Sequence, residues 1–477
     1  MLDTTNATPA NALAAFNIDV ANLPMHSIDA IQRTPADTVI VDYPCGFGKS
    51  TRMIAGLRDN PDQQVLIVVP DLEQVRQLIA DAHRHGVKLY QPLSDAAARE
   101  DKATGSPFDF LHETKRDALQ ALIQAGHNVI TTHKLYSEIA VLARSGMLQN
   151  VEVHIDEVLS VSEEATGITQ CSRNRQDAND WRCLYIDKGY ATICQDTGRI
   201  VPTEDWRQQR DGLAGNLPTA FFDAAEAGRL YTDIPGMGQH IIMGELPVVI
   251  LKLAKRVKIY TYRFSGSYMA AYLQRHGVQY SFARYSDISP EEADRQFRAK
   301  ARELVTIDPV ARLDGVALGY TAQKRMASSK AAEELRKAGQ VSDNFRSIGR
   351  ALKSNGTRTD HLILTCLQAG WTARNDQAGR FARGTKLFSD ARWVANQTRG
   401  TNQYRHCSHV AYFWSQNVNP NVARFLGCDD KQHADAYSVA EMIQFIWRSR
   451  IRDGQPITVY MPCEKMRRLW ARWLAQG

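Results

Sequence analysis

From Thr38 to Ile54 the chain reads TVIVDYPCGFGKSTRMI. A β-branched run ends in Pro44, Cys45, Gly46, Phe47, Gly48, Lys49, Ser50 and Thr51, and a helical pattern follows. Gly46 and Gly48 permit dihedrals other residues avoid, so successive N–H groups can turn inward as an anion cradle at a helix start. Lys49 can reach β and γ phosphates, and the Ser50 hydroxyl suits Mg²⁺. Only the second half of the G-x-x-x-x-G-K-[ST] pattern is met, because Tyr43 holds the first glycine's place. The expected ligands are ATP and Mg²⁺.

A second chemistry-bearing stretch is HIDEVLS, with Asp156 and Glu157 at the end of an apolar run. A carboxylate at the C-terminal tip of a parallel strand faces the ligand crevice. Asp156 is expected to hold Mg²⁺, and Glu157 to orient or deprotonate an attacking water. Near the C-terminus, Gln444, Arg448 and Arg452 recur every four residues. In a continuous helix they share one face and Arg450 points away. An arginine there can neutralise transition-state charge across a cleft. Polar turns supply candidate nucleic-acid contacts: Thr132 and His133 at one strand tip, and Arg399, Thr401 and Asn402 after another.

These groups need strand tips and helix starts to hold them. Val65–Pro70, HNVITTH, VEVHIDEVL and Arg256–Arg263 read as further strands, alternating with helical patterns such as DLEQVRQLIADAHRHG. That rhythm implies an α/β fold with a parallel sheet and helices on both faces. Residues of about 161–250 break it and read as an insertion containing a small β excursion. The rhythm resumes in DHLILTCL, ARWVANQ, HVAYFW and PITVYMP, after a charged helical segment at about 320–355 that reads as a spacer or second insertion.

A length of 477 residues suits two or three domains. With 44% hydrophobic and 23% charged residues, the composition is that of a soluble globular protein, and the net charge of +6 permits a nucleic-acid partner without demanding one. The first twenty residues show no signal-peptide pattern and no apolar run reaches membrane-spanning length, so no membrane association is expected. Eight cysteines without a C-x-x-C pair predict reduced thiols and a cytoplasmic location, although Cys171, Cys183 and Cys194 could bind zinc.

In order and spacing, YPCGFGKST, VVPDLEQ, TTHKLY, HIDEVLS, TYRFSGS, NQTRGTN and QFIWRSRIR resemble motifs I, Ia, Ib, II, III, V and VI of superfamily-2 helicases, more narrowly the divergent DEAD/DEAH-like helicases of phages and plasmids. The resemblance covers about residues 36–160 and 250–465. Motif II reads Asp-Glu-Val-Leu, motif III lacks Ser-Ala-Thr, and motif VI has Trp447 in place of glycine, which leaves Arg450 and Arg452 both open as the partner of Arg448. The resemblance implies two RecA-like parallel-sheet domains in tandem, with ATP between them and an insertion in the first. The expected boundaries are an N-terminal arm at 1–35, a first domain at 36–270 and a second at 271–477. Gln32 lies where some members read adenine. The implied activity is a nucleic-acid-dependent ATPase, a DNA helicase or translocase acting on single-stranded or forked DNA, with replication or recombination proteins as possible partners. Two rivals are a phage terminase-like packaging ATPase, whose nuclease carboxylates are missing from HLILTCL, RWVANQ and HVAYFW, and a non-hydrolysing nucleic-acid-binding module with a vestigial P-loop, against which Lys49, Ser50, Asp156 and Glu157 argue.

Overall fold

A computed structural model describes residues 37–94, 109–165, 186–213, 219–238, 241–285, 287–328, 331–373, 377–383, 391–398 and 402–476. The N-terminal arm with Gln32, the cysteines at 171 and 183, and Arg399 and Thr401 lie outside them.

The first domain is built on a six-stranded sheet. Its strands are β1 (Asp37–Asp42), β2 (Val65–Val69), β3 (Val129–Thr132), β4 (Glu152–Asp156), β8 (Arg256–Thr261) and β9 (Tyr280–Phe282). The order is β9-β1-β8-β4-β2-β3, and every pairing is parallel. Alternate residues feed opposite faces, as the two-residue period of a strand demands. Ile40, Leu66, Val68, Val153 and Ile155 pack on one side with α3 (Tyr136–Arg144) and α4 (Tyr268–Arg275). Val41, Val65, Ile67, Val69 and Ile130 pack on the other with α1 (Lys49–Asp59) and α2 (Leu72–Arg84). Asp71 caps α2 by accepting from the Gln74 N–H at 2.9 Å.

Within the interrupted region, β5 (Ser162–Glu164), β6 (Leu230–Tyr231) and β7 (Met243–Glu245) form an antiparallel sheet in the order β6-β7-β5. A hairpin of Ala191–Ile193 with Ile200–Pro202 lies in the expected β excursion. The buried Trp206, Ile200 and Leu230 give this region its own small core.

The second domain's sheet is parallel throughout, in the order β10-β14-β13-β11-β12. These strands are β10 (Val305–Asp308), β11 (Leu362–Thr365), β12 (Arg392–Trp393), β13 (His409–Tyr412) and β14 (Ile457–Tyr460). The RecA-like tandem α/β arrangement is therefore present. Two edge strands depart from the sequence reading. β9 belongs to the first sheet beyond residue 270, and β10 opens the second. The segment at 320–355 is not a spacer: α6 (Ala332–Ser354) buries Val341, Phe345, Ile348 and Leu352 against Leu364, Ala411 and Phe413. The sheet's other face is covered by α5 (Pro290–Leu304), α8 (Lys431–Ile446) and α9 (Glu464–Ala475), with Phe297, Met442, Ile446 and Trp470 in one core. Among the described residues no helix is long and apolar enough to cross a membrane.

The domains are fastened together. α7 (Pro420–Leu426) belongs to the second half, yet it buries Val422, Ala423, Phe425 and Leu426 in the first domain's core. Arg275 donates to the Phe425 carbonyl at 3.1 Å, and the Asn421 amide donates to Glu164 at 2.8 Å. Nearby, Gly266 lies against α8, where an added Cβ would sit 2.9 Å from Ala436 Cβ and 3.0 Å from its carbonyl carbon. Gly266→Ala is therefore expected to destabilise the chain by about 1–3 kcal/mol, the usual cost of overpacking. Chemical denaturation checks this, and an unchanged midpoint would show that the seam yields freely.

Candidate functional site

The tips of β1 and β4, the start of α1, and two segments of the second domain meet in one pocket of about 280 Å³. Gly46 and Gly48 both have φ of +80°, the left-handed conformation that lets the loop curl before α1. An added Cβ on Gly48 would meet nothing within 4 Å. Lys49 Nζ folds back onto the loop, donating to the carbonyls of Tyr43 (2.7 Å) and Pro44 (3.3 Å). Cys45, Gly46, Phe47, Gly48, Lys49, Ser50 and Thr51 line the pocket, whereas Pro44 does not.

Tyr43 explains the missing first glycine. Its side chain is fully buried and stacks on Phe47 with ring centroids 4.6 Å apart. Its hydroxyl donates to the Ile288 carbonyl and accepts from the Tyr285 N–H, both at 3.0 Å. Tyr285 and Ile288 thus lie over the loop. They are secured by Arg52, which pairs with Asp287 and lies over the Tyr285 ring at 4.4 Å.

Asp156 is buried, and burial raises its carboxyl from 3.8 to about 7, reinforced by the Glu157 charge and opposed by Lys49 and Arg452. Glu157 has φ of +62°, strained for a residue with a side chain, and its N–H donates to the Tyr260 carbonyl at 2.8 Å. That conformation ends β4 and leaves Glu157 lining the pocket beside Asp156. A lysine, a hydroxyl, two carboxylates and an inward-turning loop fit the donor set of a magnesium-bound polyphosphate.

The second domain contributes Arg452, Asn402 and Arg405. Arg452 Cγ lies 3.6 Å from the position a Cβ on Gly46 would take. Its Nη1 donates to Asn402 Oδ1 at 2.6 Å. The expected helical face does not form. α8 ends at Ile446, and Arg450–Asp453 is a separate 3₁₀ turn, so the four-residue recurrence is not one helix stripe. Gln444 stays inside α8, outside the pocket. Arg448 is buried, donating to the Ala395 carbonyl at 3.4 Å and lying 5.1 Å from the centre of the Phe445 ring. Arg450 turns away to the Pro456 carbonyl at 2.7 Å. Arg405 and Gln77 also line the pocket, and neither carries a sequence signal, since a lone arginine in a loop and a glutamine on a helix form no pattern.

A second cavity, of about 1300 Å³, runs between the domains. His133 lines it and also touches the site, its Nε2–H donating to the Asp156 carbonyl at 3.0 Å. Thr132 ends β3 one residue before it. Tyr268, Trp414 and Tyr437 converge on this cleft from sequence positions far apart. Its charged lining mixes Lys465 with Glu163, Glu164 and Glu441, so it is no continuous cationic track. Asn402 does not line it.

Residues 300–474 match a family described as the YonV C-terminal Rossmann-like domain. Over 448 residues the chain is 23% identical to the SPbeta prophage-derived uncharacterized protein YonV of Bacillus subtilis (strain 168), spanning 91% of this chain and 98% of that protein. Among solved structures it is similar to XPD in its apo form, at 10% identity over 96% of this chain and 98% of that one, with a TM-score of 0.48. It is also similar to the DUF1998 helicase MrfA bound to DNA and AMPPNP, at 11% identity over 100% of this chain and 53% of that one, with a TM-score of 0.34.

The raised Asp156 carboxyl makes the site costly to the ligand-free fold. Folded, the group keeps its proton up to about pH 7; unfolded, it loses it near 3.8. Between these values the folded chain binds more protons, so this residue's contribution to stability falls as pH rises towards 7 and stays low above it. Asp156→Asn is expected to stabilise the ligand-free chain at pH 8 by about 1 kcal/mol or more, and by much less at pH 5. Thermal unfolding at both pH values checks this; equal shifts would show that no buried charge is being relieved.

Proposed function

We propose that this chain is a nucleic-acid-dependent ATP hydrolase of the superfamily-2 helicase type, coupling turnover to movement along a strand. One observation carries the reading: Arg452, from the second domain, packs over Gly46 in the same pocket as Lys49, Ser50, Asp156 and Glu157. A binding module that never hydrolyses has no use for a buried, desolvated Asp156 beside a strained Glu157.

In this reading the backbone N–H groups of Gly46–Ser50 hold the phosphates, and Lys49 exchanges its two carbonyl partners for phosphate oxygens. Ser50 and Asp156 would hold Mg²⁺, which would supply charge neutralisation on the phosphates. Glu157 takes the proton of the attacking water, and Arg452 neutralises charge developing in the transition state. Arg448, held at the end of α8 by the Ala395 carbonyl and the Phe445 ring, is assigned a structural role. The large cleft receives the strand, with Tyr268 and Trp414 on its lining as candidates for base stacking. His133 links that cleft to the Asp156 carbonyl, a direct route by which an occupied cleft can adjust the hydrolytic site. The aromatic lining favours a single strand, such as the exposed arm of forked DNA. The prophage-derived name of the B. subtilis relative supports a place in phage or plasmid replication, which is cytoplasmic.

Phosphate release from ATP, measured with and without single- and double-stranded DNA and RNA, tests the proposal. Stimulation by a single strand is expected. Lys49→Ala should abolish turnover, and undiminished turnover in that variant rules the reading out. Glu157→Gln should keep nucleotide binding but lose turnover by about 10²–10⁴-fold. Arg452→Ala should lose about 10³–10⁵-fold, with ATP affinity falling much less. Arg450→Ala should be close to wild type. A larger defect in Arg450→Ala than in Arg452→Ala would reverse the assignment of the cleft arginine.

A further inference from the structure

Asn402 stands in a polar turn that suits a nucleic-acid backbone contact, but its side chain is engaged elsewhere. Its Oδ1 accepts from Arg452 at 2.6 Å, and its Nδ2 donates to Gln77 Oε1 at 3.1 Å. Gln77 lies on α2 of the first domain, and Arg452 on the 3₁₀ turn of the second. One amide therefore bridges the two walls of the P-loop pocket. A guanidinium only donates, so the oxygen of Asn402 must face Arg452. The amide nitrogen is then left to point at Gln77, where an acceptor oxygen meets it. The orientation of all three groups follows from their chemistry.

Neighbouring contacts fix the same loop. Gln403 donates to Glu73 on α2 at 2.5 Å. Arg405 pairs with Asp453, the residue after Arg452, with Nε 3.2 Å from Oδ2. The turn 402–405 thus grips the arginine's guanidinium through Asn402 and its backbone neighbour through Arg405, while resting on the first domain through Gln77 and Glu73. Arg452 carries four rotatable side-chain bonds and is only half-buried, so packing against Gly46 alone would leave it many rotamers.

We propose that Asn402 is a positioning residue for hydrolysis: it holds Arg452 over the P-loop only while the first domain, through Gln77, is in place to complete the bridge. This rests on the reading of the pocket as an ATP site. It removes Asn402 from the nucleic-acid contacts and makes delivery of the arginine conditional on the domains being together.

The experiment uses the full chain and measures kcat and KM for ATP, single-strand affinity, and thermal unfolding for wild type, Lys49→Ala, Asn402→Ala, Asn402→Asp, Gln77→Ala, Arg452→Ala and the Asn402→Ala/Arg452→Ala double variant. A misplaced catalytic group costs up to about 10²-fold, so Asn402→Ala should lower kcat by about 10- to 100-fold. KM for ATP and the strand's Kd should both stay within about threefold, because neither ligand is gripped by this amide. Gln77→Ala should show a smaller loss of the same kind. The double variant should be no slower than Arg452→Ala, since both changes remove one function. Asn402→Asp keeps the oxygen facing Arg452 but loses the donor to Gln77, so it should recover part of the lost kcat. Unchanged kcat in Asn402→Ala, additive losses in the double variant, or weakened strand binding at normal kcat would each overturn the inference while leaving the ATPase reading intact. A wild type with no turnover beyond that of Lys49→Ala would overturn both.

Discussion

Everything at the P-loop pocket depends on α7 being seated in the first domain. Val422, Ala423, Phe425 and Leu426 leave their own half of the chain and join a core built around β2, β4 and β8. Burying three large apolar side chains contributes on the order of several kcal/mol. That is enough to hold two domains in one relative placement, and Arg275 and Asn421 add direction to it. Because α8 follows directly from α7, and the turn carrying Arg452 follows α8, the seam sets where the arginine arrives. Gly266 lets α8 lie close against the first domain, where a side chain would meet Ala436.

Within the pocket, the groups placed for chemistry are the ones the fold tolerates least. Asp156 is ionisable and buried; Glu157 holds a backbone conformation that glycine would adopt more easily. Strain and buried charge concentrated on two adjacent residues mark a site where a ligand restores what folding gives up. The Tyr43 peg shows the opposite economy. It takes a position where phosphate-binding loops carry glycine and uses it for packing, with Phe47, Tyr285 and Ile288 providing the support.

Much of this was legible in the sequence because the signals were local. β1 with Gly46, Gly48 and Lys49, and β4 with Asp156 and Glu157, each combine a strand and its functional tip within about a dozen residues. Central strands such as Val65–Val69 are buried along their whole length and read as continuous apolar runs. β9 and β10 were not legible, because edge strands with exposed positions carry no such run. The helical stripe through Gln444, Arg448 and Arg452 failed for a related reason: four-residue spacing fits a helix but does not show where the helix stops, and Trp447 ends this one. Arg452 kept its place in the pocket through the turn geometry instead. The partners of Asn402 lie more than three hundred residues away in one case and fifty in the other, beyond any pattern of spacing.

The position of the seam has a mechanical consequence. α7 borders the large cleft, since Asn419, Pro420, Asn421 and Val422 line it, whereas none of them reaches the P-loop pocket. The two halves are therefore joined at the wall of the larger cavity, while the P-loop pocket closes on contacts of its own, Arg452 over Gly46 and Asn402 to Gln77. Seam and pocket are thus fastened separately: apolar burial holds the one and hydrogen bonds hold the other.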